Sequence, residues 1–152
     1  LTFDYLEGWH VASQHSLSGN GLTESISTNT SPVVFCAACG GPITPVNITI
    51  YPVNDFENGL YTSGVEYVES QSSYYANEHS YDADITMSDE GSGKLLEVST
   101  TMDFYSEITP LTKFIFGNDK FIVVAKIEGL VQEDDIQEAL VILNSLDFSG
   151  VE

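Results

Sequence analysis

The chain reads as an α+β sandwich, a mostly antiparallel β-sheet flanked by helices. Three observations predict it. Short apolar–polar alternations recur between turn residues, a strong strand hairpin occupies the last third, and helical spacing takes over in two segments. At 152 residues, 42% of them hydrophobic, the chain has the size of one domain and enough apolar side chains to fill a core. One domain over residues 1–152 is therefore expected, since no internal repeat and no shift of composition divides it.

The opening predicts a hairpin. Leu1 to Tyr5 alternates, Glu7-Gly8 turns the chain, and Trp9 to Gln14 returns, with Trp9 as a core or sheet-edge anchor. Ser18-Gly-Asn-Gly21 is a second turn, followed by a Thr/Ser/Ile-rich strand to Thr28. Val33 to Ala37 and Val46 to Tyr51 are further strands. From Val65 to Asn77 the period changes: Val65, Val68 and Tyr75 share a helical face, with Glu66 and Glu69 outside. Ser80 to Gly93 reads as an acidic, glycine-containing loop around a short strand, Ile85 to Met87.

Lys94 to Tyr105 predicts one long strand. Thr112 to Phe116 and Lys120 to Ile127 make a hairpin about Gly117-Asn-Asp119. Glu133-Asp-Asp135 then supplies acids suited to a helix N-terminus, and Ile136, Ala139, Leu140, Leu143 and Leu146 follow at helical spacing.

Two stretches carry a resemblance. The opening Leu1-Thr-Phe-Asp-Tyr-Leu-Glu-Gly-Trp-His-Val, and the closing Asp135-Ile-Gln-Glu-Ala-Leu-Val-Ile-Leu-Asn-Ser-Leu-Asp-Phe, resemble the two ends of the PsbP-like family. The hairpin Phe114 to Ile127 stands where that family places one, and Leu6 departs from its usual proline. Residues 18–93 lie outside the resemblance. It implies an α/β/α sandwich and an exported or lumenal, often lipid-anchored, accessory protein without catalytic residues. The photosystem role of one family member does not carry over, because a basic docking surface is missing.

Charge narrows the partners. Twenty-three carboxylates face four lysines (Lys94, Lys113, Lys120 and Lys126) and no arginine, for a net charge of −19. Polyanion binding releases counterions from clustered Lys or Arg, so nucleic acid is excluded as a partner, and anionic membrane surfaces are disfavoured. No apolar run has the length of a membrane span. Such a surface keeps a protein soluble and favours a monomer. The start at Leu1, without a basic n-region or apolar h-region, fits either a leader already removed or a chain trimmed at that point. An extracellular, periplasmic or cell-envelope location is the expectation, with a lipid anchor ahead of Leu1 compatible with it.

Cys36-Ala-Ala-Cys39-Gly-Gly-Pro42 allows a short disulfide, a redox dithiol, half a zinc knuckle or free thiols. An exported setting makes the Cys36–Cys39 disulfide the expected state. A redox role is the poorer fit, because the pair follows a strand instead of opening a helix. Asp82, Asp84, Asp89 and Glu90 gather oxygen ligands of the kind calcium takes, without EF-hand spacing; a solvated acidic loop is the plainer reading. Beyond that alternative the sequence asks for no cofactor.

Tyr61, Tyr67, Tyr74, Tyr75 and Tyr81 crowd 21 positions. Tyr pairs a large ring with a polar tip, which suits partner-binding surfaces, and Tyr67, Tyr74, Tyr75 and Tyr81 are the candidates; half-buried packing is the alternative. No nucleophile elbow, metalloprotease helix, phosphate loop or dinucleotide fingerprint is present. The expected function is therefore non-catalytic binding of a protein or small-molecule partner, with a calcium- or zinc-binding domain as the alternative.

Overall fold

The computed structural model describes residues 9–15, 22–28, 34–36, 41–43, 46–104, 107–128 and 133–148. Among these, seven strands form one antiparallel sheet in the order β1-β2-β5-β9-β8-β7-β6. The strands are β1 (Trp9–His15), β2 (Leu22–Thr28), β5 (Val46–Pro52), β6 (Asp84–Glu90), β7 (Gly93–Phe104), β8 (Glu107–Gly117) and β9 (Phe121–Glu128). Strands β3 (Val34–Cys36) and β4 (Gly41–Ile43) pair separately. Helices α1 (Gly64–Asn77) and α2 (Glu133–Asn144) complete the α+β fold, and no helix among the described residues is long and apolar enough to cross a membrane.

The strand order follows from one long crossover. After β5 the chain runs through a 3₁₀ segment (Val53–Asn58) and α1 to the far edge, β6, then meanders back until β9 pairs with β5. β5 and β9 are thus central, and side-chain parity on them sorts two cores. Val46 and Ile48 of β5, Val123, Ala125 and Ile127 of β9, and Phe114 and Phe116 of β8 pack with Ala139, Ile142 and Leu143 of α2. The alternate residues Ile122 and Ile115, with Leu96 and Val98 of β7, pack with Tyr67, Val68 and Tyr75 of α1. The helices therefore cover opposite faces, as expected for strands apolar on both sides.

Local chemistry sets the ends of α1. Ser63 is its N-cap, the Ser63 hydroxyl accepting from Glu66 N–H (3.2 Å). The Glu66 carboxylate reaches back to accept from both Thr62 N–H and Thr62 Oγ1–H (2.8 Å each), a variant of the capping box. Those two bonds hold Glu66 below the usual carboxylate range. The helix then seats directly on the β8–β9 turn. Gly64 N–H donates to the Asn118 carbonyl (2.7 Å), and a Cβ on Gly64 or on Gly117 would fall within 3.0 Å of the other's backbone. Asn118 is buried and closes the turn, its Oδ1 accepting from Lys120 N–H (2.9 Å) and Phe121 N–H (2.8 Å).

Two expectations change. Strand β8 starts at Glu107, five residues before the expected Thr112, because β7 pairs it as far as Phe104↔Glu107. Residues 84–90 form a full edge strand, not a loop around a short one, because β7 is long enough to pair them all, from Asp84↔Ser99 to Glu90↔Gly93. Gly91, at φ 56°, makes the turn. Leu1–Gly8 and the Ser18–Gly21 turn lie outside the described residues, so the expected opening hairpin is not assessed; β1 pairs with β2.

Candidate functional site

On the α1 side of the sheet the helix covers β7 and β8 and leaves part of β5 and β9 under an open cleft of about 460 Å³. Its floor comes from Thr49 and Tyr51 of β5, Val124 and Lys126 of β9, and Lys113 of β8. Asp55, Phe56 and Glu57 of the 3₁₀ segment and Tyr67 of α1 form its wall. The volume suits a small ligand or one inserted side chain.

The floor holds an uncommon pair. Lys113 and Lys126 are direct register partners across β8 and β9, so half of the chain's four cations share one site. Like charges placed directly opposite destabilise a sheet. Lys126 Nζ is partly compensated by Glu128, whose Oε1 lies at 2.5 Å. Lys113 Nζ lies 5.5 Å from the centre of the Tyr75 ring, within cation–π range, and among the described residues has no carboxylate at ion-pair distance. Burial pushes the Lys113 ammonium below the usual lysine value, while Glu128 and Tyr74 act in the opposite sense.

Aromatic rings line the cleft, Tyr51 in its floor and Phe56 and Tyr67 in its wall. Phe56 sits edge-on to Tyr51 (4.8 Å) and Tyr67 (4.7 Å), and Tyr61 sits edge-on to Tyr67 (5.1 Å). Burial, then the charge of Glu57, raise the Tyr67 phenol above its usual value. Beyond Tyr75 a second aromatic group runs through Tyr74, His79 and Tyr81. His79 Nε2–H donates to the Thr101 carbonyl (3.2 Å), and Tyr81 O–H donates to Asp103 Oδ1 (2.8 Å).

The predicted partner tyrosines thus divide. Tyr67 and Tyr75 are core rings, 8% and 6% exposed, whereas Tyr74 is 40% exposed and Tyr81 lies at the surface beside it. The predicted calcium ligands do not converge. Asp84 and Glu90 stand at the two ends of β6, roughly 20 Å apart at ~3.3 Å per residue, and Asp84 and Asp89 fall on opposite faces of the strand. Among the described residues no three of His, Cys, Asp and Glu gather as a metal site. Cys39 lies outside the described residues and Cys36 ends β3, so the Cys36–Cys39 pairing is not assessed.

Sequence reasoning passed over Lys113, Lys126, Tyr51, Asp55 and Glu57. A signal was present: both lysines interrupt strands apolar on both faces, so either parity points an ammonium at a covered face. No family model matches the chain, and no curated protein matches it significantly.

Proposed function

We propose that this chain is a non-catalytic binding domain whose ligand site is the cleft walled by Phe56 and Tyr67 and floored by Lys113 and Lys126. The observation that carries the reading is the placement of two half-buried lysines side by side in a protein of net charge −19. Packing alone gives no reason for that pair, since two apolar residues of similar size would serve the sheet better. The exposed ring of Tyr74, next to Tyr75, extends the site to the surface and supplies the contact a protein partner would use. An exported accessory role, of the kind the PsbP-like resemblance implies, is part of this proposal and accords with the acidic surface.

The test is amide chemical-shift mapping with a panel of neutral, acidic, basic and zwitterionic ring compounds. Binders are expected to move the amides of Thr49, Tyr51, Val124 and Lys126 together. Tyr74→Ala should weaken them and leave the melting temperature nearly unchanged. Binders that map instead to the β6 edge, or a panel that yields none, would remove the proposal.

A further inference from the structure

The four lysines of the chain sit in different surroundings. Lys120 is exposed, Lys94 pairs with Glu69 (3.3 Å) and Lys126 pairs with Glu128 (2.5 Å). Lys113 is half-buried and lines the cleft. Its register partner on β9 is Lys126, and its partner on β7 is Val98, a core residue. From α1 the Tyr75 ring stands 5.5 Å from its Nζ, with Tyr74 next along the chain. Tyr51, Tyr67, Asp55 and Glu57 are the titratable groups that share the cleft with the two lysines. No carboxylate among the described residues lies at ion-pair distance from Lys113 Nζ.

These neighbours pull the amine in opposite directions. Burial and the adjacent Lys126 ammonium favour its neutral form. The Tyr75 ring, the carboxylate of Glu128 and the net charge of −19 favour its ammonium form. Glu128 is engaged by Lys126, so it acts on Lys113 only from longer range. Burial is the largest influence, and it holds the group below the usual lysine value. A desolvated amine beside a second cation, opening on a cleft, is the arrangement that makes a lysine nucleophilic toward carbonyl carbon.

The long-range field narrows the ligand. A surface of −19 repels an anion before it reaches the cleft, and a cation gains nothing from Lys113 and Lys126 once there. A neutral ligand meets neither obstacle, and the rings of Tyr51, Phe56 and Tyr67 suit an aromatic body. We infer that Lys113 captures a neutral, ring-bearing aldehyde in the cleft as a reversible imine. The Nζ lone pair adds to the carbonyl carbon, and a C=N bond then replaces the C=O bond. The carbonyl oxygen leaves as one water, taking the two amine protons, so no further reactant is needed. This rests on the cleft being the binding site, as proposed above.

Benzaldehyde and benzyl alcohol are matched probes, sharing the ring and differing in the carbonyl group. Treatment with benzaldehyde and cyanoborohydride at neutral pH and physiological salt reduces any imine to a stable benzylamine, and peptide mass mapping reads each lysine separately. Lys113 should be labelled at least about tenfold faster than the exposed Lys120, because the cleft holds the carbonyl beside an amine less often protonated. Raising the pH toward the ordinary lysine value should narrow that ratio, as Lys120 gains free amine that Lys113 already has. Lys126→Met removes the second ammonium and releases Glu128 to pair with Lys113, so it should slow labelling there several-fold although it opens the site. Labelling of Lys113 no faster than of Lys120 would overturn the inference. So would a ratio that does not narrow with pH, or a folded Lys126→Met protein labelled at Lys113 no more slowly than wild type. Benzyl alcohol that shifts the cleft amides without preferential labelling of Lys113 removes the imine and leaves the cleft standing. The absence of any cleft response to either compound removes both readings.

Discussion

At the scale of single residues, the cleft holds groups that cost the fold stability. Lys113 is a half-buried ammonium facing Lys126 across the strands. Lys113→Met removes the like-charge contact and the desolvation together, so it should leave stability unchanged or raise it by ~1 kcal/mol in denaturant unfolding. Because the folded pKa lies below the unfolded one, the unfolded state holds the proton to higher pH. The penalty at Lys113 is therefore full at neutral pH and fades as pH rises through the lowered folded value toward the ordinary one. Tyr67 and Tyr75 act oppositely, burial raising both phenols, so the unfolded state loses those protons first. Their effect is a loss of stability above the ordinary tyrosine value, about pH 10. Tyrosinate absorbance should rise in two steps, the surface rings first and these two only with unfolding; a single step complete before unfolding would contradict their burial. Glu57→Gly relieves the left-handed strain and should stabilise the fold by ~0.5–1 kcal/mol.

At the scale of elements, the seat of α1 on the β8–β9 turn is the least forgiving joint. Gly117→Ala pushes a methyl group into the backbone of Gly64, with no flexible side chain to yield, and should destabilise by ~3 kcal/mol or more. The capping change Ser63→Ala removes one hydrogen bond at the helix start and should cost about 1 kcal/mol. Equal losses from these two substitutions would mean that α1 does not sit on the turn as described. Strand β6 is a different kind of element, an edge whose carboxylates blunt sheet-to-sheet pairing. Calcium should therefore shift the β6 amides weakly, without saturation and no more than magnesium does. A saturable, calcium-selective shift would mean that the carboxylates gather after all.

At the scale of the whole molecule, 23 acids against four lysines make self-repulsion the dominant long-range term. Salt shortens its reach from ~30 Å at 0.01 M to ~8 Å at physiological ionic strength. The melting temperature should therefore climb over that range. A flat response would indicate that the charges are already compensated locally.

Much of the fold is legible in the chain because it rests on short-range rules. The alternation in Lys94 to Phe104, the apolar run Phe121 to Ile127, the helical spacing of Val68 and Tyr75, and the spacing of Ala139 and Leu143 each declare an element. The limits of β6 were not legible, because an acidic, exposed edge strand has no periodicity of its own and takes its length from β7. The cleft was not legible either. It exists because β9 pairs with β5, a contact between segments some seventy residues apart that no local pattern encodes, and because the crossover carries Asp55 and Glu57 over that same face. The sequence by itself determined most of the strands, both helices and the charge. Only the tertiary structure decided which of those charges meet, since partner strands are chosen by non-local burial while residue patterns record only each element's own inside and outside.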